Sequence, residues 1–162
     1  MIDETYVGAS RKKRGWAWLF PLTYLVHIAE EHWGGYSAYL WRVQGIVLTP
    51  TRFLILNGIG WLLFVAGILL AQRRGFIDWM SVCLGTIVLA NGLSHTLSAI
   101  WMGAYNPGLL SGLLLFIPLG AATLLGLRRN MRWRRFVIAM LVGAAIQGAV
   151  FIIPLIGSRP TL

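Results

Sequence analysis

Residues Phe136–Ile156 read FVIAMLVGAAIQGAVFIIPLI, an unbroken stretch without one charged side chain. At about 1.5 Å of rise per residue, such a stretch covers roughly 30 Å as a helix, the thickness of a bilayer's hydrocarbon core. Working back along the chain, Leu109–Leu127 and Phe53–Gln72 are runs of the same kind, Ile77–Met102 is another with Asp78 at its start, and Gly15–Trp33 is a fifth that carries ionisable side chains near its far end. Hydrophobic residues make up 57% of the chain and charged ones 12%, whereas a soluble domain has about a quarter of its residues charged. The 162 residues leave room for little besides the spans. The expected fold is all-α, a polytopic membrane bundle of about five transmembrane helices. The expected organisation is a cytoplasmic basic tail over 1–14, one transmembrane helical domain over 15–156 and a short exterior tail over 157–162.

The net charge of +9 does not point to nucleic acid, because the basic residues lie in short clusters between apolar runs, as loop charges flanking spans do. On alternate sides of five helices, one side receives Arg11, Lys12, Lys13, Arg14, Arg73, Arg74, Arg128, Arg129, Arg132, Arg134 and Arg135, and the other Arg42, Arg52 and Arg159. Eleven against three places the N-terminus in the cytoplasm and the C-terminus outside. The expected location is a bacterial inner membrane. The basic cluster before Trp16 resembles the start of a cleaved leader, but the run that follows holds Pro21 and leads into His27, Glu30 and Glu31 without a small-residue cleavage pair near Ala29, so it reads as the first span. Between it and the second, Gly34 to Pro50 has the aromatic and polar make-up of a surface segment or partial helix ended by Pro50. Cys83 reads as a packing residue. Gly108 with Gly112, and Ala144 with Gly148, have the small-xxx-small spacing of close helix contacts, either within the chain or in a homo-oligomer.

Polar side chains inside the spans carry the functional information, because a charge at the bilayer centre costs several kcal/mol and is kept only where it meets a partner or a cavity. Asp78, at the start of the third span, can cap that helix and favour its dipole. Glu30 and Glu31 remain for the interior, with His27 three and four positions before them on adjoining parts of one helix face, and Thr23 one turn back. The third span adds Asn91 and His95, with Ser94 and Ser98 nearby. Counting helix rise from the basic side, His27 lies roughly 16 Å deep, Asn91 and Glu31 roughly 21–22 Å and His95 roughly 27 Å. Asn57 and the turn Tyr105-Asn106-Pro107-Gly108 fall in the same outer layer. Gln147, deeper on the last span, reads as packing, and His32 as interfacial.

His27-Ile28-Ala29-Glu30-Glu31, Asn91-Gly92-Leu93-Ser94-His95 and Tyr105-Asn106-Pro107-Gly108 occur in that order, and with them the chain resembles the HXXEE family of integral membrane proteins over roughly Tyr24 to Gly108. The resemblance implies about four spans and a membrane enzyme of unspecified reaction. The span over Phe136–Ile156 rests on its hydropathy.

Two imidazoles and two carboxylates at one depth fit a divalent metal, zinc, iron or manganese, with His27, Glu30, Glu31 and His95 as ligands. They also fit metal-free acid and base chemistry by Glu30, Glu31 and His27 on a lipid, with Asn91 orienting the substrate and Asn57 and Tyr105 as accessory groups. The expected function is a small membrane enzyme acting on a hydrophobic, lipid-like small molecule. A binding or sensing protein for a lipid or pigment, and a structural subunit of a larger membrane complex, are the alternatives. Proton transport fits less well, since the inner half offers few ionisable steps.

Overall fold

The computed structural model describes residues 15–156. The expected basic tail over 1–14, with Arg11, Lys12, Lys13 and Arg14, and the expected exterior tail over 157–162, with Arg159, lie outside them. Six helices and no strand are present among the described residues: α1 (Leu19–Trp33), α2 (Tyr36–Gln44), α3 (Pro50–Arg74), α4 (Ile77–Met102), α5 (Leu109–Arg128) and α6 (Trp133–Ile156). The last four are long and apolar enough to cross a membrane. With its 15 residues α1 is shorter, but a 3-10 turn over Trp16–Trp18 precedes it, and the two together reach roughly 28 Å. The chain is thus the expected all-α polytopic bundle, an integral membrane protein.

α4 is the axis of the bundle. It packs on α5, α6, α3 and α1, and Ser81 to Val88 are buried in succession, as befits a helix hydrophobic all round. α3 is its opposite, with 11% of its apolar window buried against 56% for α4. One core cluster joins Ala17, Phe20, Ile68, Leu84, Ile87, Val88 and Phe116, and a second joins Val82, Cys83, Leu127, Phe136 and Ala139. Cys83 packs as expected, its thiol donating to the Ala139 carbonyl.

Several local readings need correction. Pro50 does not end the surface segment but opens α3, with Thr49 Oγ1 accepting from the Arg52 amide at 3.2 Å. α2 stops earlier, at Gly45. Asp78 lies in the first turn of α4, where it suits the dipole, but no side chain caps that helix. Ala144 is exposed and Gly148 has nothing within 4 Å of where its Cβ would stand. The face α6 turns to the bundle is Phe136, Ala139, Gly143 and Gln147 instead. Gly112 does serve close packing, against Gly92 of α4.

α5 begins irregularly. A single α-turn over Leu109–Ser111 gives way to a π-turn over Gly112–Phe116 before regular helix resumes at Ile117. Pro118 has no amide hydrogen for the carbonyl four residues back and its ring crowds that carbonyl, so the preceding turn widens. The widened turn lies beside α1 and α4.

Candidate functional site

On α1, His27 and Glu31 are one turn apart and both face inward, while α4 brings His95 to the same point. The three residues are 1%, 5% and 4% exposed. Glu31 Oε1 lies 3.6 Å from His27 Nε2 and 3.4 Å from His95 Nε2. One ligand atom from each of the three lies within 4.8 Å of the others.

The outward ring nitrogens decide what the inward ones can do. Ser111 Oγ donates its single proton in a short hydrogen bond to Glu30 Oε2. The same oxygen lies 2.7 Å from His27 Nδ1, so it accepts there, and Nδ1 carries the hydrogen. His27 Nε2 is then a bare lone pair, buried and without a hydrogen-bond partner. His95 repeats the arrangement with Nδ1 donating to Asn106 Oδ1 at 3.3 Å, which leaves its Nε2 bare toward Glu31. Two imidazole nitrogens and the Glu31 carboxyl group therefore converge on one buried point. Desolvated lone pairs facing one another are costly unless something positive joins them.

Charge-assisted hydrogen bonds close to about 2.7–2.9 Å. Ligands about 2.0–2.1 Å from a tetrahedral ion stand roughly 3.3–3.4 Å apart. The separations of 3.4 and 3.6 Å are longer than the first and near the second.

Glu30 takes a different direction from its neighbour. Its Oε1 accepts from the Tyr105 hydroxyl at 2.8 Å and the Leu110 amide at 2.9 Å, and its Oε2 from the Ser111 amide at 2.6 Å as well as from Ser111 Oγ. The reason lies in Gly108, the residue before α5. Gly108 holds φ +94°, and a Cβ there would stand 2.7 Å from His95 Cε1 and 2.8 Å from His27 Cε1. Only glycine fits, and glycine has no side chain with which to cap its own helix. Glu30 supplies that cap from α1, on amides whose dipoles favour an anion.

The surround is mostly aromatic. Phe116, delivered by the π-turn, lies 4.4 Å from the His27 ring, and Tyr36 of α2 lies 5.9 Å from His95. α2 is tied down by the Tyr39 hydroxyl on Ser98 Oγ at 2.8 Å. Burial, then the nearby Glu31 and Tyr39, raise the Tyr36 phenol above the usual range. Tyr105 is pushed up to about 12 by desolvation and by its bond to Glu30.

The structure thus joins His27, Glu31 and His95 and gives Glu30 and Tyr105 to the turn over the site. Asn57 accepts from the Tyr24 hydroxyl at 2.9 Å, one turn from His27 along α1. Asn91 lies one turn before His95 with its Oδ1 buried and unpartnered. Thr23 bonds its own helix at Leu19 and Phe20, and Ser94 the Asn91 carbonyl. Ser111 and Phe116 escaped the sequence reading, and Tyr36 was read only as interfacial. For Ser111 the available signal was a hydroxyl three residues past Gly108, at the start of an apolar run.

Residues 18–123 match a family model described as "Protein of unknown function with HXXEE motif". That stretch is more than half of the chain, and the chain belongs to this family. It covers α1 to α4 and the first part of α5, leaving α6 outside. No curated protein and no solved structure matches the chain.

Proposed function

We propose that this member of the HXXEE family is a membrane-embedded enzyme whose centre is one divalent metal ion held by His27 Nε2, His95 Nε2 and the Glu31 carboxylate, acting on a hydrophobic, lipid-like small molecule. The observation that carries this reading is the convergence of three buried side chains, two of them imidazoles whose tautomers are set by their outer neighbours. Two imidazoles and one carboxylate suit zinc, iron or manganese, and three protein ligands leave a coordination position for substrate or water. A bound ion would polarise an oxygen of the substrate or acidify a water there.

The chain's own residues supply the rest. Glu30 and Ser111 hold His27 as an Nε2 ligand, Asn106 does the same for His95, and Phe116 and Tyr36 keep the centre dry. Such supporting bonds orient the ring and raise its basicity. Asn91 offers an acceptor one turn from His95 to a donor group on the substrate. Glu30, with four hydrogen bonds already, is better suited to hold the turn than to ligate. The nearly sealed trio favours one second reading, a protein that binds or senses a ligand without changing it.

We further infer that the end carrying Arg73, Arg74, Arg128, Arg129, Arg132, Arg134 and Arg135 is cytoplasmic in a bacterial inner membrane. A periplasm-active reporter joined after Leu162 tests it, and cytoplasmic activity there would reverse it.

The enzyme is tested by comparing lipids extracted from cells carrying the wild type and Glu31→Gln, alongside the metal content of each purified protein. A substrate that accumulates and a product that disappears in the variant are expected. Identical lipid profiles, with tight retention of one unmodified molecule, would leave the binding reading instead.

A further inference from the structure

We propose that the arginine-lined cavity at the end of α5 binds the phosphate of one anionic phospholipid, at a site separate from the His27–Glu31–His95 centre. The cavity has a volume of about 940 Å³ and is lined by Leu125, Gly126, Arg128, Arg129 and Asn130. Arg128 lies against the Trp133 ring, 5.8 Å from its centroid, which restrains the guanidinium beside the cavity. Seven arginines stand at this end of the bundle: Arg73, Arg74, Arg128, Arg129, Arg132, Arg134 and Arg135. The described acidic residue there is Asp78. Among the described residues none of the seven is ion-paired with a carboxylate.

Concentrated charge of this kind attracts an oxyanion, and guanidinium groups match phosphate geometry with paired hydrogen bonds. Free phosphate and a lipid headgroup share that chemistry, and the walls favour the lipid. Leu125 is 69% exposed and Trp133 63%, so an apolar wall and a boundary-type aromatic flank the guanidinium groups. Helix ends at this level meet headgroups on one side and acyl chains on the other. Among the described residues the opposite end carries Arg42 and Arg52, and Arg42 Nε donates to the Ala38 carbonyl of its own helix.

The test is native mass spectrometry of the full chain in neutral detergent, titrated separately with phosphatidylglycerol and phosphatidylcholine of the same acyl composition. One phosphatidylglycerol is expected to bind roughly 30-fold tighter, each of two arginines contributing about 1 kcal/mol. Arg128→Gln with Arg129→Gln is expected to bring the preference close to unity, and Arg42→Gln with Arg52→Gln to leave it in place. Should the double variant fail to fold, Arg129→Gln alone and a sodium chloride titration of the wild type are expected to reduce the preference. Equal affinity for the two lipids, or a preference that survives Arg128→Gln with Arg129→Gln, overturns the site. Complete displacement of the lipid by millimolar inorganic phosphate overturns the lipid as its occupant.

Discussion

The two ends of the bundle differ in how many of their hydrogen bonds cross between elements. In the half nearer the arginines, hydroxyls turn back on their own helices: Thr86 Oγ1 donates to the Val82 carbonyl and Thr123 Oγ1 to that of Leu119. What joins the helices there is mainly apolar contact around Ile68, Val82 and Phe136, with the Cys83 thiol on the Ala139 carbonyl crossing from α4 to α6. At the site end the bonds cross between elements, from His27 to Ser111, Glu30 to Tyr105, Tyr39 to Ser98 and Tyr24 to Asn57. Apolar packing sets which helices touch and tolerates many sequences. A network of long-range hydrogen bonds holds particular atoms in particular directions, as a ligand set requires.

The largest effect expected is at Gly108. An alanine there adds left-handed strain and a Cβ against both imidazoles, so Gly108→Ala is expected to cost about 4 kcal/mol and to abolish ion retention. Thermal unfolding in detergent and metal content would show it, and a wild-type-like protein would mean that the turn does not press on the rings. Ile68→Ala, in the apolar half, is expected to cost about 3 kcal/mol while leaving ion affinity as it was. A large fall in affinity there would erase the distinction between the two ends.

Glu30→Gln and Ser111→Ala probe the outer bonds of the site. Each is expected to weaken ion affinity about 10- to 100-fold without removing the stoichiometric site. Loss of all binding in Glu30→Gln would make it a ligand rather than a support. The smallest effect belongs to Asn57→Ala, which removes one cross-helix bond from Tyr24 and is expected to cost about 1 kcal/mol with no change in ion affinity. A measurable change in that affinity would extend the site one turn further along α1.

Much of this was legible before the structure. Apolar runs located α3 to α6 to within a few residues, and helix rise placed His27, Glu31 and His95 in one layer. What the pattern could not show is where neighbours stand around a helix. Glu30 and Glu31 are about 100° apart on α1, and nothing local says that one meets His95 and the other the start of α5. Ser111 is one hydroxyl in an apolar run until the π-turn before Pro118 sets it beside His27. Ala144 and Gly148 have the spacing of a helix contact, yet spacing alone does not say which face of α6 turns inward. Gly108 was readable as a turn, but its contact with two imidazoles follows only from three elements meeting.

In the function proposed, His27, Glu31 and His95 hold one ion and Glu30 does not. Titrating metal-stripped protein with cobalt(II) in detergent, and reading the visible bands of a four- or five-coordinate centre, tests it most directly. One equivalent is expected to bind the wild type and, more weakly, Glu30→Gln, while Glu31→Gln and His95→Ala, still folded, show no bands. Absence of binding to the wild type, or equal binding by Glu31→Gln and the wild type, would contradict it.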